Sequence, residues 1–395
     1  MTADRDLLIV MESLGATGGH QWAYRLAETW ATNGWKVTIL PLLGTEDEAV
    51  ATMPVGVEIH RGEPWGTPFL RAIPRAWRRW LRIARKKSLV LVPTSVGMSL
   101  PVGLLLARGA RVPFIVYTQG IADESIQLWE SRQLIRRVYR TCITRADWVL
   151  CVSPASVDSA LRLGVKADRV SVARAGIAVG DVARRRKRNG CETTPTASDG
   201  CRPLIVCSGV LESHKRWDVL IRAVSMLAQQ GIDVRVVHIG LDGGLGAELE
   251  ELADRLGVED RISFKGFVAD PLSVVANADL FVHPARYETI GLVLVEALAL
   301  GIPVIAADSE YGGPRLVLRN GEFGRLVNEG SASELAAAIA DHLCDPEFLR
   351  NRAMAAMDYL ESSFESDRLA TEIADQMLAV VHRRNRPSLR RAFRA

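Results

Sequence analysis

Glu288 and Glu296 stand eight positions apart in His283-Pro-Ala-Arg-Tyr-Glu-Thr-Ile-Gly-Leu-Val-Leu-Val-Glu-Ala-Leu-Ala-Leu-Gly-Ile-Pro-Val-Ile-Ala-Ala307. A carboxylate accepts hydrogen bonds from sugar or ribose hydroxyls. The free N–H groups of a helix start, here near Thr289 to Val293, favour a phosphate. One such unit could hold a sugar, a phosphate and a ribose in sequence, which is the outline of a nucleotide-sugar. Glu296 also falls within an apolar helix, where a buried carboxylate without a partner is strongly unfavourable. A core arginine beside Glu296, with Glu288 solvated, would satisfy the pair equally well. Spacing alone leaves both readings open.

The elements around the pair are legible. Asp279-Leu-Phe-Val282 reads as a short buried strand and Gly291 as a turn. Gly301 and Pro303 end the helix, because glycine suits the position past a C-terminus and proline cannot continue it. Pro303–Ala307 reads as the next strand. This is a βαβ unit, and such folds bind ligands at the carboxyl ends of their strands.

The same alternation runs along the chain and argues for α/β with parallel sheets. Strands are predicted at Leu7–Met11, Val37–Leu42, Leu89–Pro93, Phe114–Tyr117, Val149–Val152, Leu204–Ser208, Arg235–Ile239 and Ile262–Phe264. Helices are predicted at Gln21–Thr32, Trp217–Gln230, Leu245–Leu256, Ser333–Leu343, Pro346–Ser362 and Asp367–Arg383. Asp181–Pro203 is basic and then rich in Thr, Ser, Pro and Gly, the composition of a linker. Two α/β halves joined by a linker imply a cleft between them.

At 395 residues and 48% hydrophobic content, two cores of ordinary size are possible. A net charge of +3 does not argue for nucleic acid. The six cysteines show no disulfide or metal spacing, and no run reaches the length of a membrane span. The polar start, Met-Thr-Ala-Asp-Arg-Asp, leads straight into a strand and is not a signal peptide. A cytoplasmic protein is expected, with peripheral placement at the inner membrane face left open.

Six elements in order resemble the family-4 retaining glycosyltransferases, whose architecture is GT-B. They are Gly18-Gly19-His-Gln; Leu26 to Val37; Ser208-Gly-Val-Leu-Glu-Ser-His-Lys215; His238-Ile-Gly240 with Arg261 to Phe267; the E-x7-E pair Glu288 and Glu296; and Gly321-Glu-Phe-Gly-Arg-Leu-Val327. The resemblance implies an α/β GT-B fold: two Rossmann-like, doubly wound domains facing a central cleft. It divides the chain into 1–182 (acceptor-binding), 183–202 (linker), 203–365 (nucleotide-sugar-binding) and 366–395 (a C-terminal helix and basic tail that can cross back). It also implies a transferase moving a hexose or N-acetylhexosamine, with a UDP-sugar expected as donor, and with no cofactor or metal. Glu296 would bind the donor ribose and Glu288 the sugar. Backbone from Thr289 through Ile290 and Gly291 to Leu292 would hold the diphosphate, which Lys215 would neutralise. Gly18 and Gly19 would let backbone approach the donor phosphate or the acceptor, and Gly266 and Phe267 would cradle the base. Retaining transfer would proceed on one sugar face, with the leaving phosphate taking the acceptor proton.

Two positions depart from the family pattern. Val210 replaces the usual arginine before the phosphate lysine, so Arg216, Arg286 or Arg315 would have to supply the second cation. Gln119 stands where a histidine is usual; it can hydrogen-bond a sugar but cannot carry a proton. Gln119 is nonetheless taken with Glu288 and Lys215 as the catalytic set. The basic stretch Arg71–Lys87 has apolar residues at helical spacing and suits either a packing helix or an interfacial helix on anionic lipid. The acceptor is accordingly a lipid-linked or polysaccharide hydroxyl, or a soluble small molecule such as a natural-product aglycone or a sugar phosphate. A GT-B-shaped sugar-nucleotide epimerase and a catalytically silent nucleotide-sugar-binding protein are the alternatives.

Overall fold

A computed structural model describes residues 5–15, 18–43, 53–63, 69–94, 96–123, 133–188 and 202–385. The basic tail after 385, Cys191 and Cys201, and most of the expected linker lie outside the described residues. The chain divides into two compact units. The first comprises Met1–Ala175 with Ser366–Ala395, and the second is Gly176–Glu365.

The first unit is built on β1 (Asp6–Met11), β2 (Lys36–Pro41), β3 (Glu58–Ile59), β4 (Leu89–Val92), β5 (Phe114–Thr118), β6 (Trp148–Cys151) and β7 (Val170–Val172). All pair in parallel, in the order β3-β2-β1-β4-β5-β6-β7. Central strands of such sheets are covered on both faces, so they are continuous apolar runs rather than alternating ones. Leu7, Leu8, Ile9 and Val10 are accordingly all buried, as are Leu89 to Val92. The helix Phe69–Ala84 packs Ala76, Trp80 and Ala84 into this core, with Arg78, Arg79 and Arg82 exposed. Over 76–84 the apolar face of the basic stretch is therefore committed to its own domain.

The second unit repeats the plan with β8 (Leu204–Ser208), β9 (Arg235–Ile239), β10 (Ile262–Phe264), β11 (Leu280–His283), β12 (Val304–Ala307) and β13 (Arg325–Val327). Their order, β10-β9-β8-β11-β12-β13, is the 3-2-1-4-5-6 of a Rossmann sheet. The order reverses between β8 and β11, so the loops leaving those two strands diverge and open a crevice at their carboxyl ends.

The units exchange chain differently from the sequence expectation. The linker was placed at 183–202, but residues 179–188 form a helix of the second unit, with Val179 and Val182 buried. That helix packs against the helices Leu292–Ala299 and Met357–Phe364. Ile177 bridges Glu365, and Val179 N–H donates to the Glu365 carboxylate at 3.1 Å. The run Arg184–Arg188 hides this, because its charge reads as a linker while the residues before it anchor the helix. The chain then returns to the first unit. Helix Ser366–Asn385 lies against helix Gly18–Thr32, and Trp30 Nε1 donates to Ala370 O at 2.7 Å. The predicted single helix over 346–362 is two, Pro346–Ala355 and Met357–Phe364. The break lets Tyr359 donate its hydroxyl to Leu316 O at 2.6 Å.

The loops leaving β8 and β9 cross closely. Gly240 has φ of +147°, and a Cβ there would lie 1.9 Å from Gly209 O. Gly240→Ala combines backbone strain with a clash against main chain, and is expected to cost about 3 kcal/mol or more. Urea unfolding measures it; an unchanged midpoint would contradict the close crossing.

Candidate active site

The loop leaving β11 carries Glu288 and the loop leaving β8 carries Lys215, and because β8 and β11 are paired neighbours the two residues meet across the crevice. Arg286 N–H donates to His214 O at 2.8 Å and ties one loop to the other. Lys215 Nζ then donates to Glu288 Oε2 at 2.8 Å. His283, the last residue of β11, lies with Nε2 3.2 Å from the same oxygen. The Lys215 and Glu288 side chains are only 19% and 16% exposed, and His283 is fully buried.

Electrostatics fix the charge states. Burial pushes the Glu288 carboxyl up, but Lys215 and the His283 hydrogen bond outweigh it and hold Glu288 well below the usual carboxylate range. Burial lowers the His283 pKa, and Glu288 only partly opposes this. A neutral imidazole has one N–H, and the geometry assigns it to Nε2, donating to Glu288. Nδ1 has no hydrogen-bond partner among the described residues. The cluster is therefore a carboxylate shared by an ammonium and a neutral imidazole.

The loop from His283 to Gly291 is clamped from behind. Ser309 Oγ donates to Ala285 O, Glu310 N to Arg286 O and Gly313 N to Glu288 O. A Cβ on Gly313 would lie 2.5 Å from Glu288 O and 2.8 Å from Ile290 N, so glycine is required for the approach. Gly291, at φ +85°, caps the helix Leu292–Ala299. Leu292, Val293 and Glu296 form the partly exposed face of that helix, whereas Leu294, Val295 and Ala297 are buried. Glu296 is thus not the core carboxylate that its apolar context suggests; its helical phase puts it on the open side. Glu288, in a loop, is the more constrained of the two. Ile290 is buried and Thr289 partly exposed. Gly266 (φ +64°) turns the chain after β10, and Phe267 beyond it is 48% exposed.

Gly18, Gly19 and Gln119 belong to the first unit. Gln119 Nε2 donates to Gly19 O at 3.1 Å, and a Cβ on Gly19 would meet Gln119 Oε1 at 2.2 Å. Gln119 thus packs on the first turn of helix Gly18–Thr32, where the sequence reading expected a glycine turn.

The three arginines considered for the second cation are engaged elsewhere. Arg216 binds Asp218 and Glu329, and Arg315 pairs with Asp308. Arg286 lies over the Tyr287 ring at 4.9 Å, with Glu310 at 4.0 Å. Val210 turns its carbonyl to Trp217 Nε1 at 3.0 Å. Sequence reasoning undervalued His283, because a single histidine at a strand end is most often structural. The available signal was its place five residues before Glu288.

The fold is that of the GT-B glycosyltransferases. HepE of Anabaena, solved in complex with UDP-glucose, superposes with a TM-score of 0.78 over 94% of this chain and 99% of that one, at 21% identity. WaaG, a glycosyltransferase involved in lipopolysaccharide biosynthesis, superposes at 0.71 over 94% and 99%, at 17% identity. Residues 16–180 match glycosyltransferase family 4, and 194–357 match glycosyl transferases group 1. The GDP-mannose-dependent alpha-(1-6)-phosphatidylinositol monomannoside mannosyltransferase of Mycobacterium tuberculosis is 30% identical over 305 residues, 71% of this chain and 74% of that protein. The D-inositol 3-phosphate glycosyltransferase of Nocardia farcinica is 34% identical over 165 residues, 39% of this chain and 36% of that protein. The chain belongs to the family-4 glycosyltransferases. No described helix is long and apolar enough to cross a membrane.

Lys215→Met removes the ammonium from Glu288 and is expected to cost about 1–3 kcal/mol, the penalty of a buried acceptor left short of a partner. The sign with pH follows. The depressed Glu288 pKa stabilises the native protein above the unfolded value of 4.5, and that contribution fades as pH falls through and below it. The ammonium matters to a charged Glu288, so the cost of losing it is largest above pH 4.5 and shrinks in acid. Chemical denaturation of both proteins from pH 7 down to pH 3 measures this; a pH-independent difference would rule it out.

Proposed function

We propose that the protein is a retaining glycosyltransferase that takes a hexose or N-acetylhexosamine from a nucleoside diphosphate sugar to an acceptor hydroxyl. The observation that carries this is the cluster at the β8/β11 reversal: one ammonium and one carboxylate, with a neutral histidine behind. Phosphate charge and sugar hydroxyls need those two groups side by side. On donor binding, Lys215 turns from Glu288 to the diphosphate, aided by N–H groups at the start of helix Leu292–Ala299. His283 remains to hold Glu288 as a carboxylate aimed at the sugar. Glu296, on the open helix face, takes the ribose, and Phe267 offers an exposed ring to the base.

The sugar C1–O bond to the diphosphate breaks, and the acceptor oxygen bonds C1 on the same face. The departing phosphate oxygen receives the acceptor proton. Lys215 and the backbone N–H groups supply the countercharge in place of a metal. Gln119 and the Gly18-Gly19 turn serve the acceptor side. Uridine is the base expected for the donor, and guanosine is its rival because the mycobacterial relative is named for GDP-mannose.

A panel of UDP- and GDP-hexoses, incubated with and without hydroxyl acceptors, tests the reading. Transfer or slow hydrolysis of one donor is expected, with retention at C1. Donor isomerisation without acceptor would indicate an epimerase, and binding without turnover a silent binding protein. Glu288→Gln keeps the size and one acceptor oxygen but turns the other end into a donor and removes the charge that holds Lys215. It is expected to lower kcat by about 10²-fold or more, the size seen on losing one electrostatic stabiliser. Wild-type rates in that variant would remove Glu288 from the reaction.

A further inference from the structure

The first unit has its own order reversal, between β1 and β4, and a pocket lies there at the carboxyl ends of the strands. It encloses about 210 Å3 and is lined by Glu12, Gly19, His20, Thr94, Ser99 and Gln119, among others. Pockets for drug-sized ligands run to about 300–1,000 Å3, so this one suits a single ring.

Two of its polar groups stand out. Glu12 follows β1 and faces the start of the helix Ser99–Ala110. Its Oε2 accepts from Ser99 N–H at 3.0 Å, and Met98 N–H also donates to the carboxylate. Those are orphan donors of a helix N-terminus, the groups that would otherwise attract an anionic ligand. Among the described residues no Lys, Arg or His pairs with Glu12. Burial pushes its carboxyl pKa up and the two N–H groups oppose this. The second group is independent of the first. Ser99 lines the same pocket, and its buried Oγ has no hydrogen-bond partner among the described residues. A buried hydroxyl without a partner is costly, and a ligand hydroxyl would satisfy it.

We propose that Glu12 sets the acceptor class: it fills the anion position of this pocket, so the pocket takes one polyhydroxylated ring bearing no phosphate, with Glu12 and Ser99 Oγ as its hydroxyl partners. The inference rests on the glycosyltransferase reading above. A ligand phosphate would meet the carboxylate at short range and find its natural N–H donors already taken.

The test uses the full chain with matched probes: myo-inositol and its 3-phosphate, glucose and glucose 6-phosphate, and inorganic phosphate. Wild type is expected to bind an unphosphorylated ring at least about tenfold more tightly than its phosphorylated partner, the discrimination given by one short-range like-charge contact. Glu12→Ser frees Ser99 and Met98 N–H, and should erase that preference and bring saturable inorganic phosphate binding. A mere helix cap would lose stability in that variant and gain nothing. Should Glu12→Ser fail to fold, Glu12→Gln keeps an acceptor oxygen for Ser99 N–H without the charge, and should tighten the phosphorylated rings about tenfold by the same arithmetic. The inference is overturned if wild type binds phosphorylated rings as well as plain ones, binds no ring of the panel, or passes its preference unchanged to the folded variant. UDP and GDP binding is measured on the same samples. Nucleotide binding alongside any of those results sinks this inference alone, whereas a wild type that binds no nucleotide and transfers no sugar sinks the reading beneath it.

Discussion

A carboxylate removed from water must be given partners, and the second unit is arranged around doing so for Glu288. The strand-order reversal sends two loops apart, the Arg286–His214 hydrogen bond joins them, and Lys215 closes on Glu288. Ser309, Glu310 and Gly313 hold the back of the loop, so the carboxylate cannot retreat to solvent. The ion pair is then as much a stored arrangement as a stabilising one. A buried pair contributes little net free energy compared with apolar packing, but breaking it is costly unless a replacement arrives. On the proposed function, a diphosphate and a sugar would be such replacements, one for each partner.

In the proposed reaction, His283 is what makes that exchange tolerable. It is neutral because it is buried, so it adds no charge to repel Lys215, yet its Nε2–H keeps Glu288 oriented. The environment that suppresses its protonation also gives it this positioning role.

Much of this was legible in the chain. The bounds of β8, β9 and β10 follow from short apolar runs between turn residues, because a doubly covered parallel sheet demands such runs. The edge strands β3 and β7, of two and three residues, are partly exposed and carry no such signature. Glu288 and Lys215 were legible as a pair of opposite charges at strand ends, but not their contact, which depends on strand order. Among its apolar neighbours Glu296 left a ligand and a core arginine equally open; the helix phase, fixed by the Gly291 cap, turns it to the partly exposed face. Val179 and Val182 were hidden by the arginines after them. Glu12 gave no signal, since its significance comes from a helix that begins at Ser99, far along the chain.

The return of the Ser366–Asn385 helix to the first unit bears on the order in which the protein is made. A ribosome emits the second unit as one uninterrupted stretch, but the first stays open on its Trp30 side until the final helix emerges. The amino-terminal half is therefore completed last, and through most of synthesis it exposes the seat of that helix. Domains usually fold as units from the N-terminus during translation; here connectivity makes the later unit the first that can close.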